Sequence, residues 1–559
     1  MTESPAPPVS TVAVVVDPER DDVAVARQPV PAGTQLTGPL GPVTVREDTP
    51  PGHRFAIRRV AAGDWVRQYG EPFAVSRGLQ PGDPVSDETV ESIVPQVDPA
   101  TLEIAPPVLP AWEGPIPTFD GFLRPDGRAG VRNWILIVPT SNCSSHEANA
   151  IAMQAEYSGL YSREKYPNVD GVTAIPHNRG CGCPDMVLPG GKGAGRALTG
   201  IVEATMRMLA NHIQHPNVGA AIVIELGCEK TNLNAFNRFI AGDLNLFDAR
   251  PAPTGEMVKR VKPVDLSEAY GKPVYSLSIQ ECGGTRATIQ RAMELLPELL
   301  AAANATPRTP IPISELALGL ECGGSDGFSG LSANPALGHA SDLLVRAGGT
   351  SIISETTEFF GAEHLFSRRA VSREVAMGVF EHIERYRAYA ARNGASMAEN
   401  PSPGNKEGGL LNITIKSLGA MAKAGRAPVQ GVLDYGEPYY RKGANGLYLM
   451  YGPGYDPESL PAMVASGCQI VCFTTGRGSV LGNAIAPVVK IASNTPMYNR
   501  MATDMDVNAG SVIDGTADLE TVGRQIFDAV LASASGKWTK AEENGHREFT
   551  IWSEEGISL

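Results

Sequence analysis

Short apolar runs alternate with amphipathic segments over most of this chain, and that alternation constrains the fold more than any other feature. Three runs, Trp134–Pro139, Gly219–Glu225 and Val274–Ile279, have the length and composition of buried strands. Helical patterns follow two of them, at Ser145–Tyr157 and Thr285–Ala303. Strands that alternate with helices in this way predict an α/β fold with a mostly parallel sheet.

The same alternation returns in the last part of the chain. Four further runs predict buried strands, at Leu316–Leu320, Thr350–Ile353, Gln469–Phe473 and Val488–Ile491. The N-terminal part differs, because short β-like runs such as Val23–Ala26 are separated by Pro/Gly turns there. We therefore predict a small β-rich domain followed by two α/β domains.

Proline-rich stretches mark the domain boundaries. Residues 96–120 and 304–312 are rich in proline and are interpreted as extended linkers. The predicted domains are then 1–95, 121–303 and 313–559, and the last of these is expected to be catalytic.

Charge and composition exclude several classes of protein. The chain has 559 residues and a net charge of −14 without a basic run, which argues against nucleic-acid binding. No stretch is apolar enough for a transmembrane helix, and the N-terminus lacks the pattern of a signal peptide. Eight cysteines without a secretory signal predict reduced thiols or ligands. We expect a cytoplasmic enzyme, and a homodimer in keeping with its size.

Polar clusters follow the predicted strands of the middle domain. In open α/β sheets, ligands bind beyond the carboxyl ends of such strands. The cluster at 140–146 includes Asn142 and Cys143 and is either a carboxylate site at a helix start or an ordinary helix cap. Cys181 and Cys183 lie close to His177 and are either metal ligands or thiols of a glycine-rich turn. Glu229, followed by a lysine, is either part of an acid/base couple or of a solvated ion pair.

The densest polar cluster lies in the C-terminal segment. It begins with Glu321–Asp326, and its side chains are those that a polyhydroxylated, charged substrate requires. Its further members are Ser329, Asn334, Glu355, Glu358, Glu363 and His364. For the glutamates and the histidine, a solvated helix face is the alternative interpretation.

Glycine-rich loops with single cations complete the candidate site. The loop Asn400–Gly409 contains Lys406, and Lys416 follows it, which suits a phosphate or carboxylate although the loop is not a Walker A motif. Arg477 lies between two glycines and is either a carboxylate-binding group or part of a surface turn. A dinucleotide fingerprint is absent. These residues indicate a multidomain enzyme that binds a small anionic ligand.

Several motifs resemble those of the altronate/galactarate dehydratase family. They lie between residue 121 and about residue 515, in the same order as in the family, and the Asn-Pro-Ser-Pro-Gly-Asn-Lys stretch is closer to the altronate branch. The motifs are Gly121–Asn133, Leu226–Glu229, Glu321–Gly330, Ala333–Gly338, Ser354–Glu355, Gly361–His364, Asn400–Lys406, Lys416–Gly419, Phe473–Ser479 and Met505–Gly510.

The resemblance implies a hydro-lyase that dehydrates a sugar acid to a 2-keto-3-deoxy acid with a divalent metal, iron(II) or manganese(II). Lys406, Lys416 and Arg477 are expected to hold carboxylate charge. Proton transfer is expected from Glu229, Asp326 or His364. The full set of expected substrate-binding residues is Asn142, Cys143, Ser325, Ser329, Asn334, Asn405, Lys416, Arg477 and Lys490, and the expected catalytic residues are Asp326, Glu229, His364 and Lys406.

The N-terminal segment resembles the small β-clip (SAF-like) domain of this family, but it departs from the family at its histidines. His53 matches one of them, whereas Ser86 and Glu88 stand where the family has two more. The resemblance therefore implies His53 and Glu88 as metal ligands, with a shift toward a harder metal.

Three alternatives to altronate dehydration stay open. They are dehydration of galactarate or another aldarate, a lyase reaction of the sulfolactate type, and carboxylate binding without activity. An iron–sulfur cluster is a further alternative for the cofactor, because Cys143, Cys181, Cys183, Cys228 and Cys322 follow predicted strands.

Overall fold

The structure is a computed structural model, and it describes residues 6–181, 185–187, 196–198, 200–229, 231, 239 and 264–554. The N-terminal domain is built of short strands that pair in antiparallel fashion, as the Pro/Gly turns between them predict. Its strands are β1 Ala13–Val14, β2 Val23–Ala26, β3 Gln35–Gly38, β4 Gly41–Thr44, β5 Arg54–Ala56, β6 Trp65–Gln68, β7 Glu71–Ser76 and β8 Val90–Glu91.

The second domain contains a five-stranded sheet in the order β12-β11-β15-β17-β16, parallel except for β16. The strands of this part of the chain are β9 Thr118–Leu123, β10 Ala129–Gly130, β11 Trp134–Pro139, β12 Gly171–Ala174, β13 Asp185–Val187, β14 Arg196–Leu198, β15 Val218–Glu225, β16 Val264–Asp265, β17 Val274–Ser278 and β18 Thr309–Pro312. Its helices are α1 Ser145–Tyr157, α2 Gly200–Gln214, α3 Ser267–Tyr270, α4 Ile279–Cys282 and α5 Thr285–Asn304. The predicted strands and helices of this domain are confirmed.

The two predicted linkers are partly strand. Residues 118–120, at the end of the first linker, belong to β9, and 309–312 form β18, which pairs with β9 in antiparallel register. Proline-rich composition indicates extended backbone, but it does not reveal which distant segment that backbone pairs with. The pairing joins the two segments that flank the second domain.

The third domain contains a seven-stranded, wholly parallel sheet in the order β21-β22-β20-β19-β23-β24-β25. Its strands are β19 Ala317–Cys322, β20 Thr350–Ile353, β21 Val429–Leu433, β22 Leu447–Met450, β23 Ile470–Thr475, β24 Val488–Ala492 and β25 Val507–Asn508. Its helices are α6 Ala333–Arg346, α7 Glu363–Arg368, α8 Arg373–Arg392, α9 Pro403–Glu407, α10 Ile413–Met421, α11 Asp456–Ala465, α12 Thr495–Arg500, α13 Gly510–Ile513, α14 Leu519–Ala534 and α15 Lys540–Glu543. The predicted fold class, a β-rich domain followed by α/β domains, is confirmed.

Each parallel sheet reverses its strand order once, and such a switch point is where ligands bind in this architecture. In the second domain the reversal occurs at β11, which lies between β12 and β15. In the third domain it occurs at β19, which lies between β20 and β23. The loops after β11 and β19 are therefore the expected ligand-binding loops.

Buried polar contacts fix the domains against one another. Arg132 of the second domain is fully buried and binds both carboxylate oxygens of Glu542 in the third, at 2.7 and 2.8 Å. The N-terminal domain donates from Arg54 to the carbonyl oxygen of Gly409, and it accepts from Asn412 Nδ2 at the carbonyl oxygen of Phe73, at 2.9 Å. Among the described residues, no helix is both long and apolar enough to span a bilayer.

Candidate active site

A network of buried charged groups lies at the switch point of the third domain. Cys322 ends β19, Glu355 and Glu358 follow β20, Lys416 belongs to α10, and Lys423 follows the end of that helix. All five side chains are buried, and those of Lys423 and Glu355 are fully so. Buried charged groups are stable only when they are paired, so we expect these five side chains to interact with one another.

The two lysines pair with the two glutamates. Lys416 Nζ lies 2.6 Å from Glu358 Oε1, and Lys423 Nζ binds Glu355 Oε2 and lies 3.9 Å from Glu358 Oε2. Cys322 joins them, because its Sγ lies 2.8 Å from Lys423 Nζ and 2.9 Å from Glu358 Oε2. The result is a closed cluster of two lysine amino groups, two glutamate carboxyl groups and a thiol.

The carboxyl groups of this region differ in their pKa values. Burial tends to raise the pKa of Glu358, but Lys416 and Lys423 outweigh it and the pKa falls below its ordinary value. Burial, together with the neighbouring Glu358, raises the pKa of Glu355 to about 8. Burial and Glu358 raise the pKa of Asp456 to about 7. Groups whose pKa values are pushed apart in one site are suited to acid and base roles.

Glu321 adds a second acid beside Glu355. Burial, reinforced by Glu355, raises its pKa well above the ordinary value, and Ser459 donates to its Oε2 at 2.9 Å. Oxygens of Glu321, Glu355 and Asp456 lie within 4.8 Å of one another. Carboxyl groups this close do not all ionise, so protons are stored here near neutral pH.

Two backbone features bring these acids together. Glu355 has a φ of 71°, a left-handed conformation that is unfavourable for a glutamate and is found most often where function requires it. Gly323 packs against the carboxylate of Asp456, and a Cβ at that position would overlap it. Only glycine therefore permits this approach between the loop after β19 and the start of α11.

A polar cavity of about 490 Å³ lies between the second and third domains, next to this network. Asn178 and Arg179 line it from the second domain. Thr357, Asn400 and Glu458 line it from the third. Asn400 Oδ1 also accepts from Lys416 Nζ at 3.0 Å, and Thr357 precedes Glu358 in the chain, so the cavity wall is continuous with the buried network.

The N-terminal domain closes the other side of the site. Gly327 N donates to the carbonyl oxygen of Gly408 at 2.8 Å, and Gly52 packs against both segments. The side chain of Tyr69 lies against Gly330, where a Cβ would overlap its hydroxyl group. The predicted loop Asn400–Gly409 is therefore held between two domains.

Asp326, a predicted proton-transfer residue, is buried and held by protein donors at both carboxylate oxygens. Its Oδ1 accepts from Ser329 Oγ at 2.9 Å and from Ser493 Oγ at 2.8 Å, and its Oδ2 accepts from Asn494 Nδ2 at 2.9 Å. Burial raises its pKa, while these hydrogen bonds oppose the rise. Both oxygens are engaged by protein donors, so Asp326 joins the loops after β19 and β24.

Four predicted substrate-binding residues also serve the architecture of this loop. Ser329 binds Asp326, and Asn405 Nδ2 donates to the carbonyl oxygen of Ser325 at 2.8 Å. Asn334 Nδ2 donates to the carbonyl oxygen of Gly419 at 3.0 Å. Ser325, Ser329 and Asn334 line a small space next to Tyr69, which is separate from the larger cavity. Asn405 holds Ser325 in place from outside this space.

Two predicted proton-transfer residues lie away from the network. His364 Nε2 is 3.3 Å from Glu71 Oε2, and this hydrogen bond holds the pKa of Glu71 below its ordinary value. His364 therefore joins the N-terminal and third domains. Glu229 lies in the second domain, where it accepts from Thr140 Oγ1 and from the backbone N–H groups of Leu226 and Gly227, at 2.8 and 2.7 Å. It shapes the loop after β15.

The four predicted cations separate into two groups. Lys416 belongs to the buried network, as described above. Lys406 is exposed at the end of α9, and Arg477 is about half exposed and pairs with Glu407 at 3.3 Å. Lys490 is buried within β24 beside His546, and burial lowers its pKa to about 8. Of the four, the structure brings only Lys416 to the acids.

The metal ligands implied by the resemblance lie outside the buried clusters of acids. His53 Nε2 is hydrogen-bonded to the carbonyl oxygen of Glu407 at 3.2 Å, and Glu88 is exposed. Within the described ranges, the clusters of three or more carboxylate, thiol or imidazole groups contain neither residue; they are Cys322/Glu355/Glu358 and Glu321/Glu355/Asp456. The Lys423 ammonium already supplies the positive charge in the first cluster. The second cluster offers carboxyl oxygens alone, and the expectation of iron(II) or manganese(II) stays a prediction.

The strand-end residues of the second domain form a separate group on that sheet. Asn142 and Cys143 are exposed at the start of α1, and Asn142 N donates to the carbonyl oxygen of Arg179 at 2.7 Å. His177 is buried, and burial lowers its pKa to about 4. Cys181 lies beside Cys143, whereas Cys183 lies outside the described residues. The loops after β11 and β12 therefore meet, as expected at a switch point.

Lys423 and Asp456 were not identified from the sequence, and the solvated helix face considered for Glu355 and Glu358 is wrong, because both are buried. One signal pointed to Lys423, a single charge within the apolar stretch Leu418–Ala424. A charged residue in such a stretch is costly to bury unless it is paired. Its partners come from other strands and could not be identified from local sequence.

Comparisons with known proteins agree with this organisation. The C-terminal domain described as D-galactarate/Altronate dehydratase matches residues 313–556, the second domain of D-galactarate dehydratase/Altronate hydrolase matches 121–304, and the Altronate/galactarate dehydratase SAF domain matches 12–92.

Three relatives are similar to nearly the whole chain or most of it. An altronate dehydratase of Bacillus subtilis (strain 168) is 33% identical over 97% of this chain and 98% of its own length. A galactarate dehydratase (L-threo-forming) of Escherichia coli (strain K12) is 33% identical over 88% of this chain and 87% of its own length. The beta subunit of a (2R)-sulfolactate sulfo-lyase of Chromohalobacter salexigens is 32% identical over 78% of this chain and 97% of its own length. The chain therefore belongs to the altronate/galactarate dehydratase family, and the prediction of a carbon–oxygen lyase is confirmed.

Proposed function

We propose that this protein removes water from a sugar acid to give a 2-keto-3-deoxy acid, with an altronate-like hexonate as the first expected substrate. The observation that carries the proposal is the polar cavity between the second and third domains, which meets a buried set of acids and lysines. The family and its dehydratase relatives support the reaction class.

The reaction requires a base, an acid and positive charge. A base removes the proton on the carbon next to the carboxylate, and an acid protonates the β-hydroxyl group as it leaves as water. Asp456, with a pKa of about 7, is the candidate base. In the chain it follows Tyr455 directly and precedes Glu458 by two residues, and both of these line the cavity. Glu355 holds a proton at neutral pH, because its pKa is about 8, and it is the candidate acid.

Positive charge comes from both sides of the cavity. Arg179 lines the cavity; its Nη2 donates to the carbonyl oxygen of Ile551, and a guanidinium group is the kind of cation that binds a carboxylate. Lys416 and Lys423 lie behind the opposite wall, where they favour the negative charge that develops when the proton is removed. The net charge of −14 makes such local cations necessary for an anionic substrate.

The proposal is tested with a panel of substrates. The purified protein is incubated with hexonates, aldarates and sulfolactate, with and without added iron(II) or manganese(II), and 2-keto acid formation is measured. A product from altronate is the expected result. A product from galactarate alone would replace the substrate but keep the reaction, whereas sulfite release from sulfolactate, or no product from any hexonate or aldarate, would refute the proposal.

A further inference from the structure

Residues 549–554 contact both the second and the third domain at the cavity between them. Trp552 and Ser553 line that cavity, and Ile551 is fully buried. The segment belongs to no helix or strand. Its position therefore depends on the contacts of a few side chains and carbonyl groups, and the loss of a major contact is expected to move it.

Two contacts attach this segment to the second domain. The ring of Phe549 packs edge-on against His212 of α2, with ring centroids 4.9 Å apart. The carbonyl oxygen of Ile551 accepts a hydrogen bond from Arg179 Nη2. Because a guanidinium group is planar and rigid, a hydrogen bond from one of its nitrogens constrains the direction of the whole group. The position of the segment therefore influences where the Arg179 side chain lies in the cavity.

Trp552 is the main anchor of the segment in the third domain. Its backbone N–H donates to the hydroxyl group of Tyr435 at 3.1 Å, and the residue is only 6% exposed. Glu554 adds ion pairs with Arg385 and Arg392, but these are partly exposed and contribute little. Large buried aromatic rings dominate packing of this kind. The indole ring contacts four tyrosine rings at centroid distances of 5.3 to 6.0 Å, those of Tyr386, Tyr389, Tyr435 and Tyr451.

We propose that Trp552 is a positioning residue for substrate binding, because it fixes the segment whose Ile551 carbonyl oxygen orients Arg179 toward the carboxylate of the sugar acid. The inference rests on the proposed function, in which Arg179 is the candidate group for that carboxylate. The candidate acid and base, Glu355 and Asp456, make no ring contact with Trp552. Loss of the indole ring should therefore weaken substrate binding and leave the chemical step nearly unchanged.

The first test measures KM and kcat with the sugar acid that the substrate panel identifies. We expect Trp552→Ala to raise KM about tenfold, as for the loss of one charge-assisted hydrogen bond, and to change kcat less than about twofold. Trp552→Phe keeps an aromatic ring in the tyrosine cluster and should retain most of the substrate affinity. A kcat that falls as far as KM rises would overturn the positioning role.

A double-mutant cycle tests whether Trp552 acts through Arg179. In the Arg179→Gln background, Trp552→Ala should change KM little further, because both substitutions remove the same interaction with the substrate. If the two effects on KM multiply, Trp552 acts independently of Arg179, for example by contacting the substrate with its own ring, and the proposal is overturned.

Trp112→Ala is the matched control. Trp112 packs against Phe527, with ring centroids 6.1 Å apart, and it is not among the residues that line the cavity. The control removes the same side chain, and we expect a lower melting temperature with an unchanged KM. An equal rise of KM in both variants would mean that general loss of stability raises KM, and it would overturn the proposal.

A second measurement does not depend on turnover. Phenylglyoxal modifies accessible guanidinium groups, and mass spectrometry of the modified peptides gives the rate at Arg179. We expect a several-fold faster modification in Trp552→Ala than in the wild type and in Trp112→Ala, because the hydrogen bond to Ile551 is weakened. An unchanged rate would overturn the positioning role even in an active enzyme. Faster modification in a protein that dehydrates no sugar acid would refute the proposed function alone.

Discussion

Lys423→Met is the substitution that tests the buried network most directly. The Lys423 side chain is fully buried, and methionine keeps most of its volume without the charge. The variant loses the contact with Glu355, the 2.8 Å contact with Cys322 Sγ and the 3.9 Å contact with Glu358. Removing one partner of a buried ion pair costs about 3–5 kcal/mol, and we expect the free energy of unfolding to fall by that amount above about pH 8, where Glu355 is ionised.

The loss should depend on pH. The pKa of Glu355 is about 8 in the folded chain against an ordinary 4.5, so its contribution to stability decreases as the pH rises between these values and is constant above about 8. Without the ammonium of Lys423 the pKa of Glu355 rises further, and the decrease continues above pH 8. Each pKa unit of that rise adds about 1.4 kcal/mol to the difference between wild type and variant.

Urea unfolding below and above pH 8, monitored by the fluorescence of the five tryptophans, measures the loss of stability and its dependence on pH. Lys442→Met is the matched control, because Lys442 forms a partly exposed ion pair with Glu437 and should contribute less than about 1 kcal/mol. The reasoning is refuted if both variants lose the same stability, or if the loss in Lys423→Met is equal on the two sides of pH 8.

Three further predictions follow from the domain contacts and the cavity. Arg132→Met should lower the free energy of unfolding, measured in urea, by about 3–5 kcal/mol, because it breaks the buried pair with Glu542. The control Arg291→Met breaks an exposed pair and should cost about 0–1 kcal/mol, so equal losses would contradict the structure. Gly330→Ala should cost about 1–3 kcal/mol and speed proteolytic release of the N-terminal domain, because its Cβ would overlap Tyr69; an unchanged digestion rate would argue against this packing. Arg179→Gln should raise KM more than it lowers kcat in the 2-keto acid assay, and an unchanged KM would remove Arg179 from substrate binding.

The network also explains why the site residues suggested by the motifs did not all meet. Asp326, Glu229 and His364 lie in family motifs and hold loops or domains in place, and their proton-transfer roles stay predictions. The acids and lysines with altered pKa values lie beside those positions. Sequence motifs therefore located the region of the site, and the contacts add a buried group of acids and lysines to its candidate residues.

Secondary structure was predictable because it depends on local periodicity. Thr350–Ile353 is a strand with the expected bounds, and Thr285–Asn304 is a helix one residue longer than expected. Local composition also marked the extended segment at 304–312. Its pairing with β9 was not predictable, because a strand's partner is determined by side-chain packing and backbone hydrogen bonds across distant parts of the chain.

By itself, the sequence determined the order of domains, the strands and helices, the family and the loops in which the site lies. These properties follow from the period of apolar residues and from motifs that are local in the chain. Only the tertiary structure decided that Lys416 and Lys423 pair with Glu358 and Glu355 and that Lys406 is exposed. The reason is that burial and pairing determine the charge state of a side chain, and both depend on residues that meet only when the chain is folded.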